Sequence, residues 1–298
     1  LYTQLLRSSF AYCELSIPVV VIPGSSSVLS KADIGHRICT VGCLGSSSHL
    51  LADELAIGSA SVRQRPRLMQ SLGLLGLVAR KPRSRAGVRV LALDGGGMRG
   101  LVELELLKAL EDAMGAPVAD VFDVIVGTST GGILACLTGL LRKSPSACEE
   151  IYKTLSTEVF ASSWFNTARQ VLTCAKYDTA RLEEVLRSHG GTTHLTSHGL
   201  RDPTLPLVSL VSTCVSSTPT VPFMWRSAAP PHGTKASFST HNALLWQALR
   251  ATCAAPSFFD EFVFEGSRHY DGGLCANNPA AMALQEANMF FPECPIDM

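Results

Sequence analysis

Three short runs set reactive side chains among glycines. Gly127-Thr-Ser129-Thr-Gly131, followed by Gly132, reads G-x-S-x-G. The pattern places a serine on a tight strand-to-helix turn, where small neighbours leave its Oγ clear of the backbone. A helix beginning there would direct its positive end toward an oxyanion forming beside that Oγ. Tyr270-Asp271-Gly-Gly, followed by Asn277-Asn278-Pro279, puts a carboxylate at a strand end with no side chain covering it. Such an Asp becomes a useful base when partial desolvation lifts it above its ordinary value near 3.9. Asp94-Gly-Gly-Gly-Met-Arg-Gly100 offers backbone N–H groups at a helix start, an arrangement that holds an anion. A serine, a base and an anion cradle are the parts of nucleophilic acyl transfer. Taken singly, each run also has a plain reading: a glycine-flanked helix cap at Ser129, a turn cap at Asp271.

Rival chemistries fit less well. Gly95, Gly97 and Gly100 satisfy G-x-G-x-x-G, but a dinucleotide site needs a second strand ending in an acid. Here that strand runs into Gly127-Thr-Ser, and Arg99 stands where close neutral packing is wanted. No Gly-Lys-Ser/Thr follows, so no Walker loop is present and no nucleotide is expected. Lys+Arg and Asp+Glu balance at 25 each, which argues against a nucleic-acid partner. Of the eight histidines only His269 lies close to a motif, where it is expected as a surface residue at a strand end rather than a base. The ten cysteines include no C-x-x-C and no accompanying His cluster, so no zinc site is expected, and they read as reduced intracellular thiols. With no D-x-D-x-D-G calcium loop either, neither a metal nor a cofactor is expected.

The elements that must position these runs begin near residue 87. Val88–Leu93, Phe122–Val126, Leu205–Cys214 and Phe258–Phe264 read as strands. Leu101–Met114, with apolar residues at 101, 104, 106, 107 and 110, reads as a helix. Ile133–Leu141, Cys148–Phe160, Thr179–Ser188, Ala243–Cys253 and Asn278–Met289 read as further helices, the first of them apolar on most sides. Strands alternating with helices predict an α/β fold with a mostly parallel sheet. Residues 1–86 are rich in Ser and Gly, show no sustained period and are left unassigned, partly linker-like. Between Arg63 and Arg89 stand eight Arg or Lys and no acid, flanking the apolar stretch Leu68–Ala79. That segment is either a solvated linker or an interfacial one facing anionic lipid. No run reaches the ~18 apolar residues of a spanning helix; Ile17–Ile22 and Leu68–Ala79 come nearest. Charged residues make up 17% against a usual ~25%, and the mean hydropathy is +0.22. This composition excludes wholesale disorder and suits a chain that works at a bilayer.

DGGGMRG, GTSTGG and DGGLCANNP, in that order and spacing, together with Ala251-Thr-Cys-Ala-Ala-Pro-Ser-Phe-Phe259, resemble the motif set of patatin-like phospholipases. The resemblance runs from about Val88 to Pro295 and implies a catalytic domain over residues 87–298. It implies Ser129 as nucleophile, Asp271 as its dyad partner, Gly95, Gly96, Gly97 and Arg99 around the oxyanion hole, and Gly127 and Gly131 at the nucleophile turn. The implied substrate is a glycerophospholipid met at a membrane surface, by a peripheral intracellular enzyme that needs no calcium. A neutral-lipid or lysophospholipid hydrolase, an acyltransferase on the same site, or a silent membrane-binding scaffold remain open. The family's sheet is expected to continue past the last helix, and a chain running from Leu1 to Met298 reads as a piece of a longer protein.

Overall fold

The computed structural model describes residues 87–160, 177–234, 236 and 238–294. The expectations for residues 1–86, including the apolar stretches and most of the basic segment, lie outside the described residues. Val90–Leu93 (β1), Val124–Thr128 (β2) and Leu207–Cys214 (β3) form the parallel heart of the sheet. Their residues alternate between two buried faces. Leu91, Leu93, Ile125, Val208 and Leu210 enter one core; Ala92, Val124, Val126, Leu207 and Val211 enter the other. Strands buried on both sides read as near-continuous apolar runs, which is why they were legible.

The first face is covered by helices: Gly100–Met114 (α1), the short Val118–Val121 (α2), Thr130–Ala135 (α3), Pro145–Phe160 (α4), Thr179–Gly190 (α5), Leu195–Arg201 (α6) and Leu245–Thr252 (α7). After the four-residue Gly273–Ala276 (α8), Ala280–Phe290 (α9) covers the second face through Ala283, Ala287 and Phe290. A buried ion pair stitches it there: Arg226 donates to both carboxylate oxygens of Glu286, which also accepts from Ser209 Oγ.

The rest of the sheet is mixed. Val221–Arg226 (β4) runs antiparallel to β3 and parallel to Ser239–Thr240 (β5). Phe262–Phe264 (β6) and Ser267–Asp271 (β7) form a hairpin, and β7 pairs antiparallel with β3. The register on β3 positions the site. Its residues 207–211 pair with β2, which ends at Thr128 opposite Val211. Its next residues, 212–214, pair with β7, which ends at Asp271 opposite Ser212. Two strands therefore terminate end to end along β3, one leading into Ser129 and the other finishing on Asp271.

Several boundaries differ from the sequence reading. The apolar helix expected from Ile133 starts at Thr130, directly after the serine, and widens into a π-helical turn over Cys136–Leu140. Phe258 and Phe259 belong to a turn whose N–H groups bond to Ala255 O, and both rings pack on Tyr177, so the strand begins at Phe262. On α1 the apolar positions do not all face inward. Leu104 and Leu107 are buried, Leu106 is exposed beside Val102, and Glu103 is buried instead. His269 is a correction: expected at the surface, it is fully buried, because β7 lies between β3 and β6 and is walled by Phe223 and Trp225. Cys136, Cys148, Cys214, Cys253 and Cys275 are free thiols.

Candidate active site

Ser129 has φ 54° and ψ −121°, a conformation that L-residues rarely hold and that costs on the order of 1–3 kcal/mol. The surroundings over-determine it. Its N–H donates to Thr252 Oγ1 at 2.8 Å, and Thr252 Oγ1 donates to Val211 O at 2.5 Å. Its carbonyl accepts from Ile133 N–H, opening α3. The flanking glycines exist for close approach: a Cβ on Gly127 would stand 2.2 Å from Gly131 O, and one on Gly131 2.3 Å from Leu93 O. The G-x-S-x-G spacing thus follows from packing the turn between the ends of β1 and β2.

Ser129 Oγ donates to Asp271 Oδ2 at 2.6 Å. Gly273 N–H donates to the other carboxylate oxygen at 2.7 Å. The Asp271 backbone is held by Ala254 O and by Thr213 Oγ1. The side chain is buried, which pushes its carboxyl up to about 6, while the bonds from Ser129 and Gly273 pull the other way. A carboxylate poised there is a workable base near neutral pH.

The glycine loop leaves β1 beside the serine. A Cβ on Gly95 would meet Asn277 Oδ1 at 2.5 Å and Ser129 Cβ at 3.3 Å. Gly95 N–H is already taken by Asn277 O at 3.0 Å, and Arg99 N–H by Gly96 O at 3.1 Å. Those two expected members of the anion hole therefore offer no backbone donor, and Arg99 keeps only an exposed guanidinium. The N–H groups of Gly96 and Gly97 make no hydrogen bond among the described residues. Beneath the loop lie two buried acids. Burial pushes Asp94 up to about 6; burial and the nearby Asp94 carboxylate push Glu103 up to about 8, against a smaller opposing pull from the Asp94 backbone.

His269 does not join Ser129. Its Nδ1 lies 3.1 Å from Ser212 Oγ, which accepts from Trp225 Nε1 at 2.8 Å. Burial lowers it to about 4, so it is neutral at physiological pH. The sequence reading singled out the Ala251-Thr-Cys-Ala-Ala-Pro stretch, but not Thr252 as the group holding the serine N–H. Asn277 was likewise within a quoted motif without a role. Tyr152, which reaches the loop from α4, carries no motif signal at all.

Fold and site together define an α/β protein in which a strained serine and a buried carboxylate meet where two strands end. Residues 91–284 match the family model of patatin-like phospholipases. Calcium-independent phospholipase A2-gamma of Rattus norvegicus is 37% identical over 230 residues, and that of Homo sapiens 36% over 234. Each alignment covers 76% of this chain and 29% of the relative. Phospholipase A I of Arabidopsis thaliana is 32% identical over 266 residues, covering 72% of this chain and 20% of the relative. The chain belongs to the patatin-like phospholipase family, and it spans less than a third of the length of these relatives.

Proposed function

We propose that this domain hydrolyses fatty-acyl esters of glycerophospholipids through a Ser129–Asp271 dyad. The observation that carries the reading is the 2.6 Å hydrogen bond from Ser129 Oγ to a buried carboxylate. Oγ adds to the ester carbonyl as its proton passes to Asp271, and the oxyanion is held by the N–H groups of Gly96 and Gly97. The tetrahedral adduct collapses, the lysophospholipid oxygen leaves with the proton from Asp271, and acyl-Ser129 remains. Water, deprotonated by Asp271, then adds to the acyl carbon; collapse of this second adduct returns the proton to Ser129 and frees the fatty acid.

Calcium independence is supported by the missing calcium loop and by the name of the relatives phospholipase A2-gamma. Among the described residues no three His, Cys, Asp or Glu side chains are grouped to hold a metal. Peripheral contact with a membrane surface is supported by Val102 and Leu106, exposed one turn apart on the helix that follows the glycine loop, and by Leu274 exposed beside Asp271. No helix among the described residues is long and apolar enough to cross a membrane. The test is labelling with a fluorophosphonate and mapping of the adduct. The expected site is Ser129, with hydrolysis of phosphatidylcholine vesicles lost in Ser129→Ala; turnover near wild type in that variant overturns the proposal.

A further inference from the structure

α4 contributes to none of the three motifs, yet it carries a side chain into the glycine loop. Tyr152 is buried and donates its phenol O–H to the carbonyl oxygen of Gly97. Thr130, the residue after the serine, donates its Oγ1 to the same oxygen at 3.1 Å. The two hydroxyl oxygens lie 3.5 Å apart, and the tyrosine ring packs at Gly100, where a Cβ would stand 3.5 Å from Cζ. Gly97 itself is exposed, with φ 53° and open space where a Cβ would be. A glycine with this freedom is where a peptide unit turns over most readily. A trans peptide holds its C=O and N–H in opposite directions. With the Gly97 oxygen held inward on two hydroxyls, the N–H of Met98 points away from both. Turning that peptide over would break both bonds, and the one from Gly100 N–H with them, and carry the carbonyl oxygen to the side that the Met98 N–H now occupies.

We infer that Tyr152 is a positioning residue of the anion loop: with Thr130 it pins the Gly97 carbonyl and so keeps that oxygen from turning toward an oxyanion held on the N–H groups of Gly96 and Gly97. The inference rests on the reading of Gly96 and Gly97 as the oxyanion donors. Burial holds the phenol well above its ordinary value, so Tyr152 stays a donor throughout the working pH range.

The experiment compares Tyr152→Phe, Thr130→Val and Thr130→Ser with wild type on a soluble short-chain ester. It also measures the affinity of a trifluoromethyl ketone. Ser129 Oγ adds to that ketone's carbonyl carbon, the proton passes to Asp271, and the carbonyl electron pair becomes the oxyanion that the loop holds. Tyr152→Phe is expected to lower kcat by about 10–100-fold, less than the 10²–10³ typical of deleting a donor outright. KM should change less than about threefold, ketone affinity should weaken in proportion to kcat, and the acid limb of the pH profile should stay in place. Thr130→Val should follow in the same direction, and Thr130→Ser, which keeps the hydroxyl, should be rescued. Should Tyr152→Phe fail to fold, the Val-against-Ser contrast at Thr130 decides. Unchanged kcat and ketone affinity in Tyr152→Phe, or a kcat loss without weaker ketone binding, overturns the inference while an inactive Ser129→Ala leaves the dyad standing. An active Ser129→Ala removes the dyad and this inference together.

Discussion

At the scale of single residues, Asp271 and His269 stand two positions apart on one strand and differ in what they face. Asp271 faces Ser129; His269 faces Ser212 and an aromatic wall. Asp271→Asn keeps the shape but cannot take a proton, and kcat is expected to fall by about 10²–10⁴-fold. Combining it with Ser129→Ala should add little, because groups acting as a unit are not additive. His269→Gln keeps a polar contact for Ser212, so its kcat per folded molecule should stay within about threefold, with stability reduced by about 1–3 kcal/mol. An inactive His269→Gln beside an active Asp271→Asn would reverse the assignment. With the Asp271 carboxyl at about 6, kcat/KM should rise with pH through about 6, as the base loses its proton. His269, lowered to about 4 by burial, would put that limb about two pH units lower, so the profile discriminates alongside the variants.

At the scale of elements, the glycine-flanked turn that carries Ser129 is a packing solution. Gly131→Ala would drive a methyl group to 2.3 Å from Leu93 O, a backbone atom with no freedom to move aside. Overpacking of a well-packed core costs about 1–3 kcal/mol or more, so a lowered Tm together with lost activity is expected, measured by thermal unfolding and ester turnover. An alanine variant with wild-type Tm would mean that the turn is looser than its contacts say. These glycines were legible in the sequence because close approach of backbone leaves a compositional trace. So were β1, β2 and β3, whose two-faced burial demands unbroken apolar runs. The β6–β7 hairpin and the antiparallel addition of β4 were not legible as such, since pairing direction depends on partners remote in sequence. The buried state of His269 was hidden for the same reason: its cover comes from β4. Tyr152 was hidden because an amphipathic helix gives no sign of which inward residue meets a loop.

At the scale of the molecule, buried ionisable groups set how stability follows pH. Glu103 sits at about 8 when folded against an ordinary 4.5, so the folded state binds the proton more tightly. Its stabilisation is complete below 4.5 and is lost as pH rises toward 8. Asp94 and Asp271, raised to about 6, act in the same direction over a lower window. His269, lowered to about 4 from 6.5, acts oppositely, and its contribution is lost as pH falls through that window. Above pH 6.5 the remaining changes at the two aspartates and at His269 are small and opposite in sign, so Glu103 dominates among these four. Stability should therefore decline by up to about 2 kcal/mol between pH 6.5 and 8, and Glu103→Gln should flatten the decline in denaturant titrations. A slope identical in variant and wild type would mean that the acid is solvated. The two strands that end head to head on β3 have a kinetic consequence. Ser129 and Asp271 are 142 residues apart along the chain and meet only after β3 has accepted both neighbours. Contacts of such long range form slowly because the intervening chain must be closed first. Catalytic competence should therefore return after helical content when the denatured protein is diluted into buffer, so that turnover itself becomes a clock for completion of the sheet.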